Sequence, residues 1–376
     1  MSTDIEIVPV EPGKKLDAFV RLPRDLYADD PVYVPPLDMM VKDLLTPKSN
    51  PFFEHAEVAL FTAKRGGKVV GRISAQVDRE HLKKHDDATG FFGFFDTIDD
   101  DEVGKALLAE ARTWLRAKGM KRMRGPLSLS INDESGLLVD GFEHPNVLMM
   151  PHHKPYQDRI ALSAGLEKVK DLYGFRWEMQ KLNKRADRAA ETIAGYPEVR
   201  LREADFSNEI DELIQIQDDA WCHNWGHVSM TSSQAKHFAK DLALLIDRRI
   251  TCVAEINGEL GAMCLAVPNL NEAIADLGGK LLPFGFAKLV YRLKVQNPKS
   301  GRLVMLGIKE KFRNQKRYGY LSMAMVAYVA GAGRKAGYEW GELGWTLEDN
   351  TPINLLCRAA GGKHYRTYRL YEQAID

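Results

Sequence analysis

The chain has 376 residues, with 52 lysines and arginines against 52 aspartates and glutamates, 45% hydrophobic and 28% charged residues. Zero formal charge with this apolar content excludes a disordered tail and a global nucleic-acid binder, and at about 150 residues per domain the length points to two domains. The longest weakly polar stretch, Tyr320 to Gly333, is shorter than the roughly 20 residues a bilayer span requires. Met1 to Glu6 is acidic where a secretory signal is basic and then apolar, so no membrane partner and a cytoplasmic location are expected. Cys222, Cys252, Cys264 and Cys357 show no Cys-x-x-Cys spacing, which predicts reduced thiols in or near a core and neither a disulfide framework nor a metal site.

In chain order, the first signal is a pair of β-rich runs, Val58 to Ala63 and Lys68 to Val77, joined across Gly66-Gly67 as a hairpin. Phe91 to Phe95 follows with alternate strand aromatics read as core, and Asp96 to Glu102 supplies acids suited to a helix N-terminus. Val103, Leu107, Leu108, Ala111, Trp114 and Leu115 recur with helical period and stop at Gly119. A β-like segment, Met120 to Ile131, leads into an insertion, Asp133 to Lys154, and then a short helix opened by Pro155. In the insertion Asn132, Asp133, Glu134 and Asp140, with Arg124 ahead of it, read as loop caps, surface ion pairs or a polar site; His152 and His153 read as surface or loop residues. A charged helix or linker is expected over 181–197, broken by Gly195-Tyr196-Pro197.

The same order then returns. Ile250 to Ile256 and Glu259 to Val267 form a hairpin across Asn257-Gly258, followed by an insertion, Asn269 to Ser300, a strand Arg302 to Ile308, and a long helix over Leu321, Met325, Tyr328, Val329 and Ala332 ending at Gly337. A strand, Tyr338 to Thr346, precedes a short helix in which Thr351 caps and Pro352 takes the first helical position. Gly67 and Gly258 lie 191 positions apart and Pro155 and Pro352 lie 197 apart. Near-equal offsets from independent landmarks indicate a duplicated architecture.

Between the strand ending at Ile308 and the long helix, Lys309, Lys311, Arg313, Lys316 and Arg317 oppose only Glu310. A diphosphate about 5 Å from one such charge gains on the order of 3 kcal/mol per pair at an effective dielectric near 20, before solvation. This strand-loop-helix, together with Asn350, Leu356 and Gly361 around the proline helix, resembles the GNAT superfamily of acyl-CoA-dependent N-acyltransferases. The resemblance implies an α/β fold (α+β, mixed sheet) of two tandem GNAT-like domains, each a mostly antiparallel twisted sheet flanked by helices with splayed fourth and fifth strands. The domains would run 1–180, a degenerate GNAT-like half without a coenzyme site, and 198–376, the acyl-CoA-binding half, with the linker helix at 181–197.

The resemblance further implies acetyl-CoA or another acyl-CoA as cosubstrate, no metal, and an amine of a small molecule or peptide as acceptor, in a monomer or homodimer. Backbone groups of Leu306, Gly307 and Ile308 would bind pantetheine and polarise the carbonyl, with Gly307 permitting close approach. Arg313, Asn314, Gln315, Lys316, Arg317, Tyr318 and Gly319 would cradle the diphosphate, and Asn350 would touch the coenzyme near pantetheine. Cys357 stands where the family often has a tyrosine that protonates the thiolate, so Tyr318, Tyr365 or Tyr368 are alternative donors and Cys357 reads as a small core residue. Acyl transfer needs a base for the amine: Glu342 on its strand, or His223 or His227 in the Trp-rich run Trp221 to His227. The acids Asp96 to Glu102 would repel a diphosphate in the first half. Two other classes compete: a non-catalytic binder of acyl-CoA or a metabolite, and a tandem aminoacyl transferase of the peptidoglycan-bridge type, which zero net charge disfavours.

Overall fold

The computed structural model describes residues 4–179 and 184–375. Its first half contains β1 (Ile5–Val10), α1 (Asp17–Leu26), α2 (Asp38–Leu44), β2 (Ala56–Arg65), β3 (Lys68–Asp78), α3 (Arg79–His85), β4 (Thr89–Thr97), α4 (Asp101–Ala117), β5 (Arg122–Gly125), β6 (Leu137–Asp140), α5 (Tyr156–Ser163) and β7 (Glu167–Glu178). Then come α6 (Lys184–Ala194), β8 (Val199–Arg202), α7 (Ile210–Trp221), α8 (Ser232–Leu245), β9 (Thr251–Ile256), β10 (Glu259–Pro268), α9 (Leu270–Ile274), α10 (Gly285–Tyr291), β11 (Ser300–Ile308), α11 (Glu310–Arg313), α12 (Leu321–Lys335), β12 (Trp340–Leu347), α13 (Thr351–Ala359) and β13 (Lys363–Ala374).

The turns that signalled the duplication have the conformation their residues favour. Gly66 and Gly67 hold φ of 58° and 78°, and Asn257 and Gly258 hold 53° and 80°. Two successive positive φ values match the twist of an antiparallel pair, so β2–β3 and β9–β10 form tight hairpins.

Two compact units result: Met1–Leu172 with Ile274–Gly285 and Arg366–Asp376, and Tyr173–Ala273 with Phe286–Tyr365. The strand order is β1-β2-β3-β4-β5-β13 in the first and β8-β9-β10-β11-β12-β7 in the second. In each, the fourth and fifth strands pair in parallel. The last strands are exchanged: most of β13 belongs to the first unit, and Tyr173 onward in β7 belongs to the second. Sequence order alone expected domains of 1–180 and 198–376, because this exchange joins residues about 200 positions apart and leaves no local mark. Of the linker expected over 181–197, residues 181–183 lie outside the described residues; Lys184–Ala194 form α6, whose Ala186, Ala189 and Ile193 are buried in the second unit's core, and the helix ends at the expected break, Gly195-Tyr196-Pro197.

Amphipathic burial fixes the helices. Val103, Leu107, Leu108, Ala111 and Leu115 of α4 pack with Phe61, Ile73, Phe92 and Phe95 of the first sheet. Each fully buried Val or Leu contributes about 1.5–3 kcal/mol. In the second unit Leu321, Ala324, Met325, Val329 and Ala330 of α12 pack with Cys252, Ala254, Ala262 and Cys264. At the start of α13 the cap is one residue earlier than expected: the Asn350 side chain accepts from Ile353 N at 3.4 Å, and Thr351 and Pro352 lie inside the first turn.

Candidate functional site

In the second unit β11 and β12 are in register only over Ser300–Leu303 with Trp340–Leu343. At that point the β10–β11 register slips between Leu265 and Ala266, leaving Val304 as an extra residue on β11. A bulge of this kind adds twist and turns the strand aside, so the fourth and fifth strands part. Glu342 stands opposite Arg302 at the last paired positions but one. Its carboxylate is fully buried and accepts a hydrogen bond from the Tyr365 hydroxyl. Arg302, also buried, donates from Nε to the Gly344 carbonyl at 3.0 Å.

Of the four residues named for catalysis, Glu342 and Tyr365 are thus together. His223 is exposed just beyond α7, and His227 is buried with Nε2 3.6 Å from Asp218 on that helix. Tyr318 packs edge-on against Phe312 and directs its hydroxyl to Glu198, while Tyr368 is buried beside Arg366 of the first unit. Cys357 lies in the core cluster with Leu343 and Ala360; burial, and secondarily the Glu342 charge, push its thiol up to about 12, so it stays protonated.

The surroundings of β11 and its loop alter several coenzyme expectations. The Leu306 carbonyl accepts from Trp221 Nε1 at 3.3 Å. Gly307 does permit a close approach, but of α7: a Cβ there would lie 2.9 Å from Ala220 Cβ. Ile308 is buried in the core. In the loop the N–H groups of Tyr318 and Gly319 already donate to Gln315 O and Lys316 O, closing a 3-10 turn. The Gln315 side chain donates to Lys311 O, Asn314 Nδ2 approaches Glu310 Oε1 at 3.4 Å, and Arg313 donates to Ala220 O.

Most of the loop's positive charge is met locally. Lys309 and Lys311 both pair with Glu259, whose carboxyl they hold below the usual range, and Arg317 pairs with Glu198 at 2.6 Å while lying over the Tyr196 ring. Exposed Lys316 completes the set. The excess read from nine consecutive residues is therefore an upper bound on the field a diphosphate would meet, because Glu198 and Glu259 come from β8's approach and β10.

The first unit has a different polar centre. A cavity of about 50 Å³, room for a few waters, is lined by Tyr27, Tyr33, Asp96, Glu134, His152 and His153 among others. Buried Asp96 is held by Arg72 Nε at 2.8 Å and by the Tyr27 hydroxyl. Burial, the largest single effect, would raise its carboxyl, but the charges of Arg72 and His153 and the hydrogen bonds from Tyr27 and Arg72 together hold it below the usual range. His153 Nδ1 accepts from Leu138 N at 3.1 Å, so a neutral ring carries its proton on Nε2; burial depresses it to about 4.

His152 and His153, expected at the surface or in a loop, do lie in a loop, where both are buried. Asp96, read as part of an acidic helix start, is a strand residue turned inward, and nothing in local spacing marks its partners. The acids that follow do serve the helix: Asp100 caps α4 and pairs with Arg65, and Arg159 pairs with Asp99 and Asp101. Among the described residues no group of three or more His, Cys, Asp or Glu is arranged to hold a metal, and no helix is long and apolar enough to cross a membrane.

No family model matches the chain. It is 41% identical over 380 residues to a Caulobacter vibrioides protein named bacterial ceramide synthase, covering 100% of this chain and 98% of that one. The Escherichia coli protein YghO is 35% identical over 368 residues, covering 96% of this chain and 93% of its own. The chain belongs to this family. Members of the bacterial ceramide synthase and YghO family thus match it from end to end, both units included. Among solved structures, a tandem GNAT protein from the clavulanic acid biosynthesis pathway aligns with a TM-score of 0.58 at 14% identity, covering 99% of both chains. A GCN5-related N-acetyltransferase from Sphaerobacter thermophilus aligns at 0.55 and 11% identity, covering 98% of this chain and 96% of that one. The fold of this family member is a tandem GNAT fold.

Proposed function

We propose that the chain is an N-acyltransferase that moves an acyl group from an acyl-CoA thioester to the amine of a long-chain amino alcohol. The observation that carries the reading is the buried Glu342 carboxylate with the Tyr365 hydroxyl on it, where β11 and β12 part. The substrate class comes from the relative at 41% identity named bacterial ceramide synthase, since a ceramide is the amide of a fatty acid with such an amino alcohol.

The chemistry balances on those two side chains. The amine nitrogen attacks the thioester carbonyl, a C–N bond forms and the C–S bond breaks. Glu342 takes the proton lost by nitrogen, Tyr365 gives its proton to the departing thiolate, and the proton on Glu342 restores Tyr365. Backbone N–H groups of β11 beyond Val304 are the candidates to stabilise the oxyanion. Arg313, at the end of α11, and Lys316, in the turn ahead of α12, are the candidates to meet the diphosphate.

The test is thiol release, with amide measured by mass spectrometry, from a long-chain acyl-CoA and sphinganine. Thiol and amide are expected in equal amounts. Glu342→Gln is expected to lower kcat by about 10²–10⁴-fold, and His223→Ala to leave it unchanged. Cys357, buried and protonated at the position where the family often has its tyrosine, favours a second reading, a binder without turnover. A coenzyme-induced rise in Tm with no thiol release at any acyl length would establish that reading and refute the first.

A further inference from the structure

The polar cavity of the first unit takes no part in the proposed chemistry, and every residue lining it belongs to that unit. The backbone beside it is strained. β4 carries an extra residue between the pairings Arg72↔Asp96 and Ser74↔Gly93, and a bulge re-aims the side chain next to it, here Asp96 on the cavity wall. Phe94, at the bulge and also on the wall, holds φ of 46°, a left-handed conformation that bulky residues avoid. Such strain persists where the surroundings over-determine it, and it clusters at ligand clamps and active sites.

Hydrogen bonding on the wall indicates the occupant. His152 Nε2 lies 2.9 Å from Asp30 Oδ2 and donates to it, so Nδ1 is an acceptor; that nitrogen is buried and has no hydrogen-bond partner. His153 is the reverse: Nδ1 is filled by Leu138 N, and Nε2 keeps the proton as a donor. Burial is the chief cause that holds both rings neutral. Adjacent residues thus line one cavity with a bare acceptor and a donor. A buried acceptor left bare carries its full desolvation cost, which an occupant able to donate to it removes.

The charges on the wall are already met. Arg72 gives Nε and Nη2 to Asp96 at 2.8 and 2.7 Å and Nη1 to the Phe19 carbonyl at 2.9 Å. Asp96 also accepts from Tyr27, and half-buried Glu134 interacts elsewhere in the chain. Arg72 is the one lysine or arginine among the lining residues, so an anion would meet no uncommitted cation. An ammonium would enter beside the Arg72 guanidinium, where burial already refuses a proton to His153. What fits is an uncharged group that donates and accepts at once. A hydroxyl does both from a single atom, which suits a cavity of about 50 Å³. Tyr33, with its ring 4.8 Å from Tyr27 and 5.4 Å from His152, joins Phe94 in covering the carbon that bears it.

We infer that this cavity is a ligand site in its own right and that it takes the hydroxylated end of its ligand. A free polyol and the head of a long-chain amino alcohol share that chemistry. The inference does not rest on acyl transfer at Glu342: it is read without coenzyme or turnover, so either can fail while the other stands.

The experiment is nuclear magnetic resonance of the full chain at neutral pH, following isotope-labelled histidine ring nitrogens during titration. Glycerol stands for a free polyol and serinol for the amino alcohol's head; acetate and tetramethylammonium are the charged controls. At least one alcohol is expected to shift the His152 Nδ1 and His153 Nε2 signals to saturation, and the tighter of the two identifies the source. His153→Asn keeps an acceptor for Leu138 N but loses the Nε2 donor. Read at His152 Nδ1, it is expected to weaken binding about 2–10-fold, the worth of one hydrogen bond. Should the variant fail to fold, the wild-type titration still decides. Three results would overturn the inference: a charged control binding as tightly as the alcohols, an unchanged affinity in folded His153→Asn, or ring signals that no probe moves, in which case the cavity holds only water.

Discussion

The His153 ring supplies a test that needs no substrate. Buried in the first unit, it accepts a backbone hydrogen bond from Leu138 on Nδ1 and is depressed from 6.5 to about 4. Burial is the main cause; the Asp96 charge opposes it, and His152 and Arg72 reinforce it. Between pH 6.5 and 4 the unfolded chain takes up a proton that the folded chain refuses. Stability is then fully present above pH 6.5 and is lost as the pH falls toward 4, with a slope near 1.4 kcal/mol per pH unit and a total of about 3 kcal/mol. His81 and His152, also depressed chiefly by burial, act with the same sign. Asp96, held below its usual range, adds a loss only at still lower pH. In His153→Asn the side-chain oxygen can replace Nδ1 as the acceptor but cannot titrate. Urea unfolding followed by circular dichroism at pH 7, 5.5 and 4.5 is expected to show a loss smaller in the variant by about 2–3 kcal/mol. Equal pH slopes in the two proteins would refute the buried neutral imidazole.

Three further outcomes follow from packing and charge. Gly307→Ala sets a methyl 2.9 Å from Ala220 Cβ and is expected to cost about 1–3 kcal/mol, lowering Tm, with partial recovery on adding Ala220→Gly; an unchanged Tm would show that α7 does not depend on this approach. Glu259→Gln releases Lys309 and Lys311 from an exposed carboxylate, so stability should change by less than about 1 kcal/mol while calorimetry shows coenzyme A binding about threefold tighter; unchanged affinity would place the diphosphate elsewhere. A chain ending at Tyr365 loses Tyr371 and Ile375 from the first unit's core and Arg369 from its pair with Asp171. Such losses cost about 3 kcal/mol or more each in a core, so limited proteolysis is expected to cut within residues 4–172 at once and to spare the second unit; equal resistance of both would refute the strand exchange.

What could be read from the sequence was what the sequence encodes locally. Gly66-Gly67 and Asn257-Gly258 mark hairpins because positive φ is a property of those residues, and α4 and α12 show because their apolar period needs no knowledge of the partner surface. Glu342 and Tyr365 were reachable one at a time, as a strand carboxylate and a nearby phenol; that they bond each other depends on where β13 begins relative to β12. The exchange of β7 and β13 was hidden because both strands look the same whichever sheet they complete. The loop's charge was overestimated for a similar reason, since Glu198 and Glu259 lie far upstream. His152 and His153 lie in a loop, as expected, but their burial was not legible locally, since the partner of His152, Asp30, lies 122 positions upstream.

The two units start from one plan and diverge at the place where the fourth strand leaves the fifth. In the first unit β4 bulges between its pairings Arg72↔Asp96 and Ser74↔Gly93, and the gap is closed by the chain itself. Leu127 N donates to Phe92 O, the Gln76 amide donates to the carbonyls of Leu127 and Leu129, and a Cβ on Gly93 would lie 1.8 Å from Leu127 O. These bonds satisfy the strand edges with which an acyl-pantetheine would have to pair in the first unit. In the second unit the strand Trp340–Leu347 leads to α13 without a counterpart of the insertion Asp133 to Lys154, and the polar groups at the fork are Arg302, the Gly344 carbonyl and Glu342 with Tyr365. A buried carboxylate costs several kcal/mol to desolvate and persists only where partners or function compensate it. On the proposed reading, the filled first fork is the physical difference that would leave the chemistry to the C-terminal unit, and a chain carrying Gln76→Ala should keep its turnover while losing stability.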